Sequence, residues 1–491
     1  MTLIDKLEKS RDFWFLLITS FVFFLLRLPS LFEPYWYGDE GIYQTLGSAI
    51  RHGRILYEGA WDNKPPLLYI VYAIFNGDQF YVRALSLIFG FLSVTAFYFL
   101  AKKLFGESKE EAKISMWSTG IFAFMFAIPF IEGNIANSEN FMLLLIIFSG
   151  FLILSEKLNP KILLISGLIL GIAFLFKIVA IFDFTAFAVF IIISKIDLPK
   201  RDLLNLNLLK KIFNLLAPFV LGFAIPILIT AFFFIGPQFK YFFQATFLQN
   251  VGYVGWGNKL IIPQGYMILK LILLAGFTTY LLIKKDKFSK TLLFIIIWFV
   301  FSLFNTFFSQ RPYTHYLLVL LPSFCLLIGL FLFEKKYKPQ LAVFFIISLI
   351  FICLGFKFSG KTLSYYQNFT SFIIGSKSVR EYREFFDRRT PIDYEIATYI
   401  KAKTNDDDSI FIWGNNAQIY KMTDKIPPGR YAVAYHITGY KEGISNTQEA
   451  LDKKKPKIIV IMPNQPMIPF SLSGYGNVIK IDNTLIYERI I

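Results

Sequence analysis

The chain has 491 residues, 55% of them hydrophobic and 17% charged, with a mean hydropathy of +0.53. A soluble domain is ordinarily about a quarter charged; this much apolar surface calls instead for a polytopic membrane protein, each span taking about 20 mostly apolar residues. The net charge of +16 would point a soluble chain toward nucleic acid, but in a membrane protein basic residues first serve as anchors on the inner side, so no nucleic-acid partner is expected.

The N-terminal apolar run, "FWFLLITSFVFFLLRLPSLF", is long and lacks a small-residue cleavage site, so it reads as a signal anchor and first helix. Hydropathy predicts about eleven membrane helices, near 12–32, 80–101, 112–131, 140–155, 161–176, 178–194, 212–235, 266–283, 291–308, 314–333 and 340–358. Only Lys177 separates the fifth from the sixth. With the N-terminus inside, the inner segments hold about twenty Lys and Arg and the outer segments before the last helix about seven, which sets the orientation and accounts for much of the positive charge. Residues 200–211 read as an inner amphipathic linker. Cys325 and Cys353 both lie in apolar runs and form no disulfide framework.

This layout places three segments outside: a loop over 33–79, "IEGNIANSEN" at 131–140, and everything after about 359. The division expected is a membrane module over 1–358 and an outer domain over 359–491. In the outer domain, a helical stretch at 392–403 precedes "SIFIWG", and "ALDKKKPKIIVIMP" repeats helix then strand, which predicts a small α/β domain. Trp413, Tyr420 and Arg430 are candidate surface residues there, or equally core and fold support.

Loop 33–79 is too long for a plain connection. In "EPYWYGDEGIYQTLGSAIRHGR", Ile42, Leu46, Ala49 and Ile50 recur at helical spacing. A short helix at the membrane surface is expected, with Asp39 as its cap or first-turn acid. Further on, "WDNKPPLLY" presents Lys64 from stiff, extended backbone, because Pro65 and Pro66 cannot continue a helix through that point. An acid at a helix start is commonly a cap, and a lysine at the interface is commonly a snorkelling anchor. Arg27 in the first span has the same two readings, functional or snorkelling. Lys177 in "AFLFKIVAIF" is costly in apolar surroundings and is a functional candidate by default. Glu139 stands at a helix mouth where Asn137 or Ser138 could cap instead. With three His in the chain and no paired His or Cys spacing, an imidazole or thiolate metal site is not expected. Together, the acids Asp39, Glu40 and Glu139 and the bases Lys64, Arg83, Lys177 and Arg311 map to one side of the membrane. Carboxylates can deprotonate an acceptor hydroxyl there, and cations can stabilise a departing phosphate.

The ordered set "YGDEGIY", "WDNKPPLLY", "YVRALSLIFGFLSVTAFYFLAKKLFG", "GIAFLFKIVAIF", "RPYTHYLLVLLPSF" and "DDSIFIWGNNAQIYKMTDKIPPGRY" resembles the prokaryotic branch of the GT-C glycosyltransferases. It is similar to the protein O-mannosyltransferases and the lipid A aminoarabinose transferases, and the likeness covers nearly the whole chain. The resemblance implies a membrane enzyme of the cell envelope that moves a hexose or pentose from a polyprenyl-phosphate donor to a hydroxyl of a lipid, glycan or protein acceptor. Transfer would be inverting and on the outer face of a prokaryotic plasma membrane. By the same resemblance Asp39 is the acceptor-activating base. Glu40, beside it, tunes that base, binds substrate or holds the loop. Lys64 contacts the donor phosphate, helped by Lys177 and Arg83, while Glu139, Arg311, His315 and Tyr316 bind substrate or support the fold. No obligatory metal is implied; a divalent cation on Asp39, Glu40 and Glu139 is the minority alternative. One departure stands out. Where the aminoarabinose transferases have an acid just before Lys-Pro-Pro, this chain has Asn63, preceded by Asp62. The competing reading is a transporter or flippase of a lipid-linked substrate, against which stand the absence of an internal duplication and the clustering of charge on one side.

Overall fold

The computed structural model describes residues 10–196, 206–250, 266–309 and 311–490. The expected linker over 200–211 lies outside them up to residue 205. Every apolar segment expected to span the membrane holds a helix: Arg11–Arg27, Gln79–Phe105, Lys109–Ala127, Ser138–Ile153, Pro160–Phe176, Ile181–Lys195, Leu206–Phe233, Met267–Lys284, Lys290–Thr306, Leu321–Phe333 and Lys338–Gly355. Among the described residues, six helices are long and apolar enough to cross a membrane by length and composition. Several others are shorter, such as Pro160–Phe176 with 17 residues.

Helix starts follow the sequence. Ser10 accepts from the N–H of Phe13, Asn159 from Ile162 with Pro160 following, and Ser289 from Leu292. Ser108 and Glu111 form a reciprocal capping box. Each satisfies N–H groups that the first helical turn cannot bond internally.

By internal packing the chain divides into two compact units. One comprises Met1–Leu28, Ser86–Phe233 and Gln249–Thr362; the other Pro29–Leu85, Phe234–Leu248 and Leu363–Ile491. This differs from the division expected at 358: the loop after the first helix folds with the C-terminal segment. The physical reason is visible in the loop helix Gly38–Arg51. A Cβ on Gly41 would lie 2.8 Å from the backbone nitrogen of Gln418, and Thr45 Oγ1 donates to the carbonyl of Ala417 at 2.9 Å. That helix is not an exposed surface helix, since residues 40–49 are all buried. On its other side a Cβ on Gly47 would meet the Tyr72 backbone at 2.7 Å, so the following helix, Pro66–Ile74, lies directly against it. Pro65 caps that helix from extended backbone, as the Lys-Pro-Pro stretch predicts.

The sheet of this second unit has four strands, β1 (Ile410–Trp413), β2 (Ile458–Ile461), β3 (Tyr475–Ile481) and β4 (Thr484–Arg489), in the order β1-β2-β4-β3. β1 and β2 run parallel with Ile410 opposite Ile458; β4 pairs antiparallel with both β2 and β3. Helix Thr390–Lys403 lays Ile396, Ala397 and Ile400 on the core formed with Ile410, Ile412, Ile458, Val460 and Ile486. β1 ends the sheet order, and Tyr420 hydroxyl accepts from its Ile412 N–H at 2.9 Å. That bond covers a donor no neighbouring strand takes. Trp413 and Tyr420 are thus core residues, both fully buried.

In the first unit, helices Pro160–Phe176 and Leu206–Phe233 touch backbone to backbone. A Cβ on Gly167 would lie 2.0 Å from the Phe219 carbonyl oxygen, and one on Gly222 equally close to that of Leu164. Small residues at a helix crossing are the usual means of association where no water drives it. Helix Pro160–Phe176 stops at Lys177, whose backbone is extended (φ −157°), and a short 3-10 turn leads into Ile181–Lys195.

Candidate active site

The acidic pair that opens the loop helix does not act as a pair. Tyr37 is the N-cap and makes no side-chain capping bond; Asp39 and Glu40 both lie in the first turn. Successive residues on a helix point about 100° apart, which sends the two carboxylates into different surroundings.

Glu40 turns inward and is buried, its carboxylate held by the Arg83 guanidinium. Arg83 Nε donates to Glu40 Oε1 at 3.1 Å, Nη1 reaches Glu33 Oε2 at 2.9 Å and the Ser30 carbonyl at 2.6 Å. Glu33 in turn accepts from Tyr365 hydroxyl at 2.6 Å and Trp36 Nε1 at 2.7 Å. A fully enclosed guanidinium between two carboxylates has no face to offer a lipid phosphate. Arg83 is therefore placed as a structural clamp rather than the expected phosphate ligand, and of the three roles open to Glu40 its burial against Arg83 fits holding the loop.

Asp39 stays at the surface, its side chain 40% exposed. Tyr43, one turn on, donates its hydroxyl to Asp39 Oδ2 at 3.1 Å. Lys64 Nζ lies 4.0 Å from the same oxygen, 3.8 Å from Asp62 Oδ2 and 4.7 Å from the centre of the Tyr43 ring. The Lys64 main chain is fixed on both sides: its N–H donates to Tyr69 hydroxyl at 3.1 Å and its carbonyl accepts from Tyr57 hydroxyl at 2.8 Å. Asp62 is buried and accepts from Tyr69 hydroxyl at 2.7 Å and the Asn63 N–H at 2.8 Å. Burial presses its carboxyl upward, but Lys64, His436 and those hydrogen bonds outweigh burial, and it titrates below the ordinary Asp value. Desolvation, and then the Asp39 charge, push the Tyr43 hydroxyl well above its ordinary value, so it stays a proton donor to Asp39.

The first unit holds a separate charged group. Lys177, the extended C-cap of Pro160–Phe176, binds the buried carboxylate of Glu139 in the first turn of Ser138–Ile153. Its ammonium also lies 4.4 Å over the Tyr316 ring. His315 Nδ1 is 3.1 Å from Glu132 Oε2, and Thr314 hydroxyl donates to the other Glu132 oxygen. Arg311 is partly buried just before them. Arg27 is enclosed, donating to the Gly133 carbonyl and, at 3.2 Å, to Ser86 Oγ. It braces the 131–140 loop rather than snorkelling.

Sequence reasoning passed over Glu132 and His436 and gave Asp62 no role. Glu132 could have been found, standing in the same outer loop as Glu139. Asp62 was visible only as a displaced acid beside Lys-Pro-Pro. His436, in "AVAYHITGY", carries no local signal. As for a divalent ion, Glu40 is committed to Arg83 and Glu139 to Lys177, so those acids do not fit one. Among the described residues no three His, Cys, Asp or Glu side chains gather as a metal site.

Comparison with known proteins bears on the fold. Residues 64–220 match the family described as dolichyl-phosphate-mannose-protein mannosyltransferase. None of the curated proteins matches the chain. Among solved structures, ArnT from Cupriavidus metallidurans bound to undecaprenyl phosphate is 13% identical, with a TM-score of 0.58 and 98% of each chain covered. The same protein in the apo state gives 12%, 0.55 and the same coverage. The Archaeoglobus fulgidus oligosaccharyltransferase AglB, in complex with an inhibitory peptide and a dolichol-phosphate, is 13% identical with a TM-score of 0.47, covering 92% of this chain and 69% of its own. The chain is a multi-pass membrane protein with the GT-C fold, and it resembles the mannosyltransferase- and aminoarabinose transferase-like glycosyltransferases.

Proposed function

We propose that the protein transfers a sugar from a polyprenyl-phosphate donor to an acceptor hydroxyl on the outer face of the membrane, with inversion. The observation that carries this reading is the half-exposed Asp39 carboxylate standing 4.0 Å from the Lys64 ammonium on a helix locked by buried ion pairs. Asp39 takes the proton of the acceptor hydroxyl as its oxygen attacks the anomeric carbon. The new C–O bond forms as the bond to the phosphate oxygen breaks, and the polyprenyl phosphate leaves with the electron pair. Lys64 meets the charge that grows on that phosphate. One displacement at one carbon inverts its configuration. Tyr43 orients the base. In the other unit Lys177, held by Glu139 and lying over the Tyr316 ring, is a cation of the kind a phosphate requires; substrate roles for it and for Tyr316, His315 and Arg311 belong to this proposal. The reading needs no resident metal. The ArnT structure bound to undecaprenyl phosphate supports the donor class by likeness of fold. An orientation with the N-terminus inside is supported by the distribution of basic residues; a prokaryotic plasma membrane belongs to the proposal.

The test is incubation of the purified protein with labelled polyprenyl-phosphate sugars. Asp39→Asn is expected to cut donor consumption by about 10²–10⁴-fold while its thermal unfolding stays that of the parent. Turnover at the parental rate would remove Asp39 as the base. Movement of intact donor between leaflets without consumption would favour the transporter reading instead.

A further inference from the structure

The C-terminal segment reaches the Lys64 loop through a histidine that the transfer chemistry above does not use. Trp61 N–H donates to the Arg430 carbonyl at 2.9 Å, and Arg54 donates to the carbonyls of Pro427 at 2.7 Å and Gly429 at 2.9 Å. From this joined segment His436 enters the site. It is 4% exposed, stacked on Tyr440 and edge-on to Tyr435, with Nε2 3.6 Å from Asp62 Oδ1. Its Nδ1 is buried with no hydrogen-bond partner. A bare acceptor nitrogen costs less to bury than an unmet N–H, so the proton belongs on Nε2, facing Asp62. Burial, opposed by Asp62, also presses the ring toward its neutral form.

We infer that His436 is a positioning residue for the donor phosphate, acting on Lys64 through Asp62; this rests on the phosphate role proposed for Lys64. The Asp62 carboxylate faces two donors on opposite oxygens, His436 on Oδ1 and Lys64 on Oδ2. At 3.6 Å the imidazole acts on the carboxylate electrostatically rather than through a hydrogen bond, and the N–H dipole offsets part of its charge, which leaves the ammonium freer to turn to a phosphate. Without that donor Asp62 holds Lys64 more tightly, and the lysine is withdrawn from the ligand.

Binding of undecaprenyl phosphate to the full-length protein in lipid nanodiscs tests this. His436→Phe should weaken binding about 5–10-fold, and His436→Gln, whose amide can donate to Asp62, should return it to within about two-fold. In a Lys64→Ala background the His436→Phe change should have little further effect, because the two act in series. If His436→Phe does not fold, His436→Ala is read in the same way. Parental affinity in the folded variant, or a loss that persists without Lys64, overturns the inference. If Lys64→Ala itself binds undecaprenyl phosphate like the parent, the proposed role of Lys64 has failed first, and this inference with it; a Lys64 effect without a His436 effect sinks the inference alone.

Discussion

Arg83 shows how much of this site is scaffold. Its guanidinium is enclosed by Glu33, Glu40 and the Ser30 carbonyl. Arg83→Met would leave two buried carboxylates without a counter-charge, at a cost of about 3–5 kcal/mol. The expected outcome is a sharply lower unfolding midpoint in detergent; the exposed Lys113–Glu110 pair should lose little by the same operation. Asp393 makes a second residue-level case. It is buried, accepts from Asn416 at 2.7 Å and Gln418 at 3.0 Å, and lies 4.0 Å from Arg389. Burial raises its carboxyl to about 6, with Asn416, Arg389 and Gln418 pulling the other way. A carboxyl whose folded value is raised favours the folded state most when protonated. Its contribution is full below about 4, is lost as pH rises toward 6, and is absent above that. The shift corresponds to roughly 3 kcal/mol. Asp393→Asn should therefore remove a fall in unfolding midpoint between pH 4 and 6. A difference between variant and parent that does not change with pH would show that Asp393 ionises in the fold as it does in solution.

At the scale of elements, the helices were legible where one signal sufficed. Apolar runs marked the spans, Ser10, Ser108 and Ser289 marked starts, and Pro65-Pro66 marked the break behind Lys64. The parallel strands β1 and β2 followed from helix-then-strand stretches. The β3–β4 hairpin was missed: its alternation is weak, and its turn at Asp482, in left-handed backbone at φ 51°, carries no glycine. Loop helix Gly38–Arg51 was found, but its enclosure was not, because that depends on Gln418 and Tyr72, far away in sequence. In the site, Asp39 and Lys64 were legible as an ordered pair of motifs. The sorting of Glu40 and Arg83 into scaffold required seeing which carboxylate turns inward. Helix crossings are equally invisible to hydropathy. Gly167 and Gly222 leave no room for a side chain, so Gly222→Leu should separate Pro160–Phe176 from Leu206–Phe233 and lower the unfolding midpoint. Gly120, with nothing within 4 Å of an added Cβ, is the control position, where Ala should be neutral or slightly stabilising.

For the whole molecule, the charge of +16 is an orientation signal. Basic clusters such as "KKDKFSK" and "EKKYK" resist crossing the bilayer, which supports the proposed orientation with these segments inside. In the proposed orientation, with the eleven spans expected from hydropathy, the C-terminal segment and the loop carrying Asp39 and Lys64 would both emerge on the side opposite the N-terminus. In that orientation the proposed transfer would draw on lipid-linked donors, since nucleotide sugars are not supplied outside the cell. This orientation can be read directly in cells carrying Cys353→Ala, which removes the exposed native thiol. Ser473 is exposed in the C-terminal segment and Lys157 in the loop after Ser138–Ile153. A membrane-impermeant maleimide should label Ser473→Cys in intact cells, and Lys157→Cys only after permeabilisation. Labelling in the reverse pattern would place Asp39 and Lys64 on the cytoplasmic side, where a soluble activated sugar could serve as donor and the case for a polyprenyl-phosphate substrate would fall.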